Sequence, residues 1–215
     1  DPDDWLFALI SLQTQEGFLG AGNYGISRMN GGFASRPGVG VAPVGTWGAR
    51  WQADVQTLLV QRGAIADQQG YSADGGHALL WLLPWAGTES LSMASLDPLY
   101  IEVCRRVRLF ADGGRLAARV TGSRAARIAS KERNGITGDP WTPVDPAEGK
   151  ALTVSSAGFE YKLMADLLTS GRFAQGAAWR LDGWPCDASL QVVAQAAVRG
   201  QGKTVVTTRE PGGTP

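Results

Sequence analysis

The sequence predicts an α+β fold, an irregular mixed domain of antiparallel hairpins, a few amphipathic helices and long glycine-rich loops. Three observations predict it. Helical periodicity recurs in three separated segments, near residues 2–14, 49–62 and 156–170. Strand-like alternation marks a hairpin at 99–121, two further strands are expected at 190–198 and 204–208, and the mixture does not suit a doubly wound sheet. The stretches 17–37 and 134–150 are rich in glycine, proline or both, with neither periodicity.

Taken in order, Asp1-Pro2 followed by two acids is a helix start: a cap, a proline in the first turn, and anions at the positive end of the dipole. Trp5, Leu9 and Leu12 then form a stripe to residue 14. Ala49–Arg62 reads likewise, with Trp51, Val55, Leu58 and Leu59 on one face and Gly63 as its stop. Residues 79–86 are a short apolar run broken by Pro84. In residues 99–110 Leu99, Ile101, Val103, Val107 and Leu109 share one face. Asp112-Gly113-Gly114 supplies a turn, and Leu116, Ala118 and Val120 return, so 99–121 reads as a hairpin with arginines on its polar face. Ser156–Ser170 reads as a helix with Phe159, Leu163 and Leu167 as its stripe. Leu190–Val198 and Thr204–Thr208 read as strands.

The chain has 215 residues, 44% of them hydrophobic and eight of them tryptophan, so it can bury a core and is no disordered tail. We expect one domain over 1–215. No apolar run approaches the ~18–20 residues of a membrane helix, and no signal-peptide layout opens the chain. Cys104 and Cys186 have no metal-like spacing. They fit a reducing, cytoplasmic setting, and two cysteines leave room for one disulfide.

The zero net charge hides an asymmetry. Residues 1–104 hold four basic against ten acidic groups, whereas residues 105–133 hold nine basic against two acidic. Such a basic stretch suits a polyanion contact, through counterion release, or a solvated strand face; the residues alone leave both open.

Several motifs fail on context. Gly20-Ala21-Gly22-Asn23-Tyr24-Gly25 matches G-x-G-x-x-G, yet a helical pattern precedes it where a strand is needed. The acid expected downstream is also missing, for residues 17–53 contain no carboxylate. Gly202-Lys203-Thr204 lacks the first glycine of a phosphate-binding loop, since position 197 is Ala197, and Val205-Val206 looks like a strand. His77, the one histidine, has no cysteine cluster or catalytic partner in readable spacing and is expected to be structural. The motifs indicate no enzyme, and no cofactor is expected. What remains is the glycine-rich stretch itself. Its glycines permit close backbone approach, and its Asn and Arg side chains suit base edges and phosphates. A surface loop with an Asn30-Gly31 turn explains it equally well.

With those residues in view, the sequence resembles the CasA family, the large subunit of the type I-E CRISPR surveillance complex Cascade. The likeness lies in GNYGISRMNGGFASRP followed by a helix with Trp51, in LDPLYIEVCRRVRLF after a proline-broken apolar segment, and in VRGQGKT near the C-terminus. The resemblance implies a non-enzymatic subunit. It would recognise a protospacer-adjacent motif in duplex DNA, aid duplex opening, stabilise the R-loop and lead to recruitment of a helicase–nuclease. Base pairing to the guide RNA reads the long sequence, so the protein needs only shape, a few base contacts and phosphate clamps. The implied DNA contacts are Gly20, Gly22 and Asn23 as a close-approach loop, with Arg28, Asn30, Arg36 and Lys203 as base or phosphate contacts. Arg105, Arg106 and Arg108 are implied as a backbone or guide-RNA clamp. The implied partners are guide RNA, the other Cascade subunits and target duplex, with no membrane. Family members are longer and carry a C-terminal helical bundle not recognisable here, so a partial chain or reduced variant is expected. Two alternatives stand beside this: a scaffold holding guide RNA or neighbouring subunits, and, more remotely, a nucleotide-binding enzyme.

Overall fold

The computed structural model describes residues 1–17, 20–29, 34–180, 189–200 and 203–209. It is α+β: three helices and several short sheets, mostly antiparallel, joined by long connections.

Helix α1 (Pro2–Thr14) starts as its sequence indicates, with the Asp1 side chain accepting from the Asp3 amide at 3.0 Å. The chain then leaves through the glycine-rich segment and forms β1 (Pro37–Pro43). Sequence periodicity missed β1 because glycine and proline fill it. Gly40 is required there, since a β-carbon would lie 2.9 Å from the Ala178 methyl.

Helix α2 (Trp47–Gln69) is longer than the expected 49–62. Gly63 lies inside it, and the real stop is Gly70, left-handed at φ 74° with its amide on the Ala66 carbonyl at 2.8 Å. Packing of Ile65 and Ala66 into the core outweighs the ~1 kcal/mol cost of an internal glycine. The buried face is Ala53, Gln61, Ile65 and Ala66; Trp51 and Leu59, expected on the core face, are exposed.

β2 (His77–Leu79) pairs in parallel with β3 (Leu96–Ile101). His77 is exposed, not packed as a structural histidine would be. The expected continuous strand over 99–110 is two strands, because residues 102–105 leave the ladder before β4 (Arg106–Asp112) begins. β4 pairs with β5 (Arg115–Thr121) through Gly113 and Gly114, both at positive φ, the turn that the Asp-Gly-Gly motif specifies. Two short strands, β6 (Val144–Asp145) and β7 (Lys150–Ala151), follow. Helix α3 (Tyr161–Leu168) is shorter than the expected 156–170, since Gly158, at φ 69°, closes a turn onto the Ser155 carbonyl just before it. β8 (Leu190–Gly200) and β9 (Lys203–Arg209), both expected as strands, pair antiparallel, and β8 lies between β1 and β9.

One core joins Val39, Val154, Phe159, Leu167, Phe173 and Ala194 between the sheet and α3. A second joins Ile65, Tyr71, Leu80, Met93, Leu96 and Tyr100 between α2 and β3. A small third cluster of Ile26, Met29 and the free thiol Cys104 lies beneath the glycine-rich segment. Cys186 lies outside the described residues. Among the described residues no helix is long and apolar enough to cross a membrane.

Candidate nucleic-acid interface

The β4–β5 hairpin sorts its side chains by strand alternation. Arg106, Arg108 and Phe110 share a face with Arg119 and Thr121 of the opposite strand, whereas Val107, Leu109, Ala118 and Val120 take the other. Arg108 lies directly opposite Arg119, and both are exposed. The Arg119 guanidinium lies over the Phe110 ring at 4.7 Å. Among the described residues, neither of these arginines nor Arg106 or Arg124 forms an ion pair with a carboxylate. A groove of about 390 Å³ runs beside them, lined also by Trp81, Trp85 and Arg127. Trp81 is half exposed. Arg127 is buried, donates to the carbonyls of Leu80 and Leu83 at 3.4 and 3.1 Å, and lies over Trp85 at 5.1 Å. Burial pulls its pKa down. Cationic and aromatic groups thus share one concave surface on which no carboxylate appears.

The glycine loop abuts the open end of this hairpin. Gly20 and Gly22 have φ of 112° and 78°, conformations that favour glycine, and the Asn23 amide closes the turn onto the Gly20 carbonyl at 2.9 Å. The Gly22 carbonyl accepts from the Ser123 amide at 2.9 Å. A β-carbon at Gly22 would lie 3.3 Å from the Ser123 carbonyl oxygen, and one at Gly122 would lie 3.3 Å from the Gly22 oxygen. Arg106 donates to the Gly122 carbonyl at 3.3 Å. Gly20, Gly22 and Asn23 therefore border the arginine face. This loop follows a helix, so the strand–loop–helix context of a dinucleotide cradle is absent. Likewise Lys203 opens strand β9 where a phosphate-binding loop would need a helix.

Three other expected contacts, Arg28, Arg36 and Arg105, have their side chains largely inside the protein. Arg28 is 7% exposed; it donates to the carbonyls of Tyr100 at 2.9 Å and Pro98 at 3.3 Å, and stacks 4.0 Å above the Tyr100 ring. Burial opposes its charge, but the neighbouring Tyr100 and Asp139 oxygens outweigh that and raise its pKa. Arg36 forms a two-point pair with Asp139, with Nη2 to Oδ1 at 2.7 Å, and Arg28 approaches the same carboxylate at 3.9 Å. Burial pushes the Asp139 pKa up, yet Arg36 and Arg28 together hold it below its ordinary value. Arg105 is buried too, bonded to Glu16 at 3.3 Å and to the Gly17 carbonyl. Most of their donors bond to carbonyls and carboxylates inside the protein, so Arg28, Arg36 and Arg105 hold backbone in place; Arg105 also borders the groove, and its Nε meets no partner among the described residues. Arg106 and Arg108 remain at the surface. Asn30 lies outside the described residues, and Lys203 is placed only by its backbone.

Sequence reasoning missed two carboxylate-centred features. Asp139 was read as loop, although Asp-Pro-Trp is a turn signature, and its Oδ1 accepts from the Trp141 amide at 3.0 Å. Glu102 looked like the polar side of a strand, yet it is 4% exposed, and burial raises its pKa to about 7 against the pull of two hydrogen bonds from Ser27. Nothing in the local sequence marked either as interior. Among the described residues no three His, Cys, Asp or Glu side chains gather as a metal site. Compared with known proteins, the chain matches no family model, and no curated protein is similar to it.

Proposed function

We propose that this chain is a nucleic-acid-binding subunit of a CRISPR Cascade effector, acting in antiviral defence in the cytoplasm. It recognises the protospacer-adjacent motif in duplex DNA and helps to open the duplex and hold the R-loop. Its partners are guide RNA, the other Cascade subunits and a helicase–nuclease recruited afterwards. The single observation that carries the nucleic-acid part is the Arg108–Arg119 pair: like charges directly opposite, exposed, without a carboxylate, beside two tryptophans. Such a pair is mildly unfavourable in the free protein and becomes favourable when a polyanion bridges it. The glycine loop at the end of the same face offers a backbone edge that can approach a groove closely. The assignment to Cascade rests on the sequence resemblance alone.

A second reading has its own support. Because Arg28 and Arg36 are interior, the expected contacts that stay at the surface with described side chains include Arg106 and Arg108 of the hairpin, which favours a scaffold holding guide RNA without reading DNA sequence. One experiment separates them: duplex binding by the chain assembled with guide RNA, with and without the adjacent motif, across a salt series. Motif-dependent binding that Asn23→Ala abolishes supports recognition. Salt-sensitive, motif-indifferent binding lost only with Arg106→Ala or Arg108→Ala supports the scaffold. Absence of salt-dependent binding defeats both.

A further inference from the structure

The four residues between β3 and β4, Glu102 to Arg105, touch both ends of the glycine loop. At the entrance, Arg105 Nη1 donates to Glu16 at 3.3 Å and Nη2 to the Gly17 carbonyl. At the exit, Glu102 Oε2 accepts from the Ser27 amide at 2.8 Å and from the Ser27 hydroxyl at 2.7 Å, and that hydroxyl also meets the Tyr100 phenol. Gln13 locks the connector to α1, its side chain accepting from the Arg105 amide at 2.9 Å and donating to the Arg105 carbonyl at 2.8 Å. The side chains of Gln13, Ser27, Glu102 and Arg105 are all buried. This also explains why the strand breaks: both connector groups turn inward to hold the loop and cannot alternate along a ladder.

We propose that this connector is a clasp that positions the glycine loop, with Arg105 holding its entrance and Glu102 its exit, and that the charge on Glu102 sets how firmly the exit is held. Glu102 and Arg105 act here as positioning residues, through their bonds to Ser27, Glu16 and Gly17. The effect on binding rests on the nucleic-acid reading above, whereas the clasp does not.

The charged and titratable groups facing Glu102 come from every neighbouring element. Arg28 and Arg36 follow the loop; Tyr100 is on β3; Cys104 adjoins in the connector; Arg127 lies beyond β5. The arginines favour the carboxylate, but burial outweighs them, so the closed clasp takes up a proton near pH 7 where a solvated glutamate does so near 4.5. The closed form therefore binds more protons than an opened one between those values. Raising the pH through that window favours opening. From pH 5.5 to 8 the opening equilibrium should rise on the order of tenfold.

The test is amide hydrogen exchange of the full chain across residues 23–29, corrected for intrinsic base catalysis, from pH 5.5 to 8. Wild type should lose protection on the order of tenfold as pH rises, while Glu102→Gln, a permanently neutral isostere, should show no such slope. Ser27→Ala should open more readily but keep the slope, because Glu102 remains. A flat wild-type profile, or one slope shared by wild type and Glu102→Gln, overturns the clasp. The wild-type series needs no variant to fold. Duplex binding measured at pH 6 and 8 separates the two readings. A wild-type-specific exchange slope without duplex binding upholds the clasp and defeats the nucleic-acid reading. Duplex binding with flat exchange does the reverse.

Discussion

Arg108 and Arg119 stand directly opposite each other across the β4–β5 hairpin, with Arg119 drawn over the Phe110 ring and Arg108 left without a countercharge among the described residues. Directly opposed like charges destabilise a sheet by about 0.2–1 kcal/mol. Arg108→Thr should leave the fold as stable as wild type or more so by a few tenths of a kcal/mol, while lowering the salt slope of nucleic-acid binding by about one. Thermal melting and a salt titration read the two effects. Unchanged binding would return this face to an ordinary solvated strand.

Gly22 sits at φ 78°, back to back with Gly122. Gly22→Ala should cost about 1–2 kcal/mol, from backbone strain and from the close Ser123 oxygen. It should also shift the loop relative to Arg106 and weaken duplex binding beyond the loss in stability. Gly20→Ala, where a β-carbon meets no atom within 4 Å, should cost only the strain of its φ of 112°. Urea midpoints for the two variants give the comparison; equal losses would remove the argument from close packing.

Asp139 holds Arg36 in a two-point pair and Arg28 at 3.9 Å, and accepts from Thr142 at 3.0 Å. Asp139→Ala leaves two buried guanidiniums without their countercharge and should cost about 3–5 kcal/mol. Arg28→Ala should likewise destabilise before it alters binding, since its donors satisfy the Pro98 and Tyr100 carbonyls. A soluble, fully stable Arg28→Ala with weakened duplex binding would restore Arg28 to the interface.

The same carboxylate sets the acid limit. The Asp139 pKa is depressed, so its contribution is complete above the ordinary value of 3.8 and is lost as pH falls through its lower folded value. Asp145 acts in the same direction, held down by the Glu148 amide first and then by Arg172. Urea midpoints measured from pH 6 to 2 should fall steeply below about pH 4, and less steeply in Asp139→Asn, which has already lost that contribution. Parallel curves for the two proteins would show that Asp139 does not govern the acid transition.

Local signals were legible wherever one element's own residues decide its form. The Asp1 cap, the Gly113-Gly114 turn and the alternation of β8 need only near neighbours, and each lies where the sequence indicates. The two arginines of β4 on the polar face were also readable, because alternation alone sorts them. What the sequence could not specify was which charges go inside. Arg28, Arg36 and Arg105 look like surface residues by type; Asp139 and Glu16, distant in sequence, make their burial tolerable by meeting them in space. For the same reason the run 99–110 divides at Glu102, since a carboxylate drawn inward to Ser27 leaves the strand. Residue type and period determined the α+β character and the hairpins. Only the tertiary structure decided which basic groups remain free to meet a polyanion, because ion pairing and burial are set by partners tens of residues away.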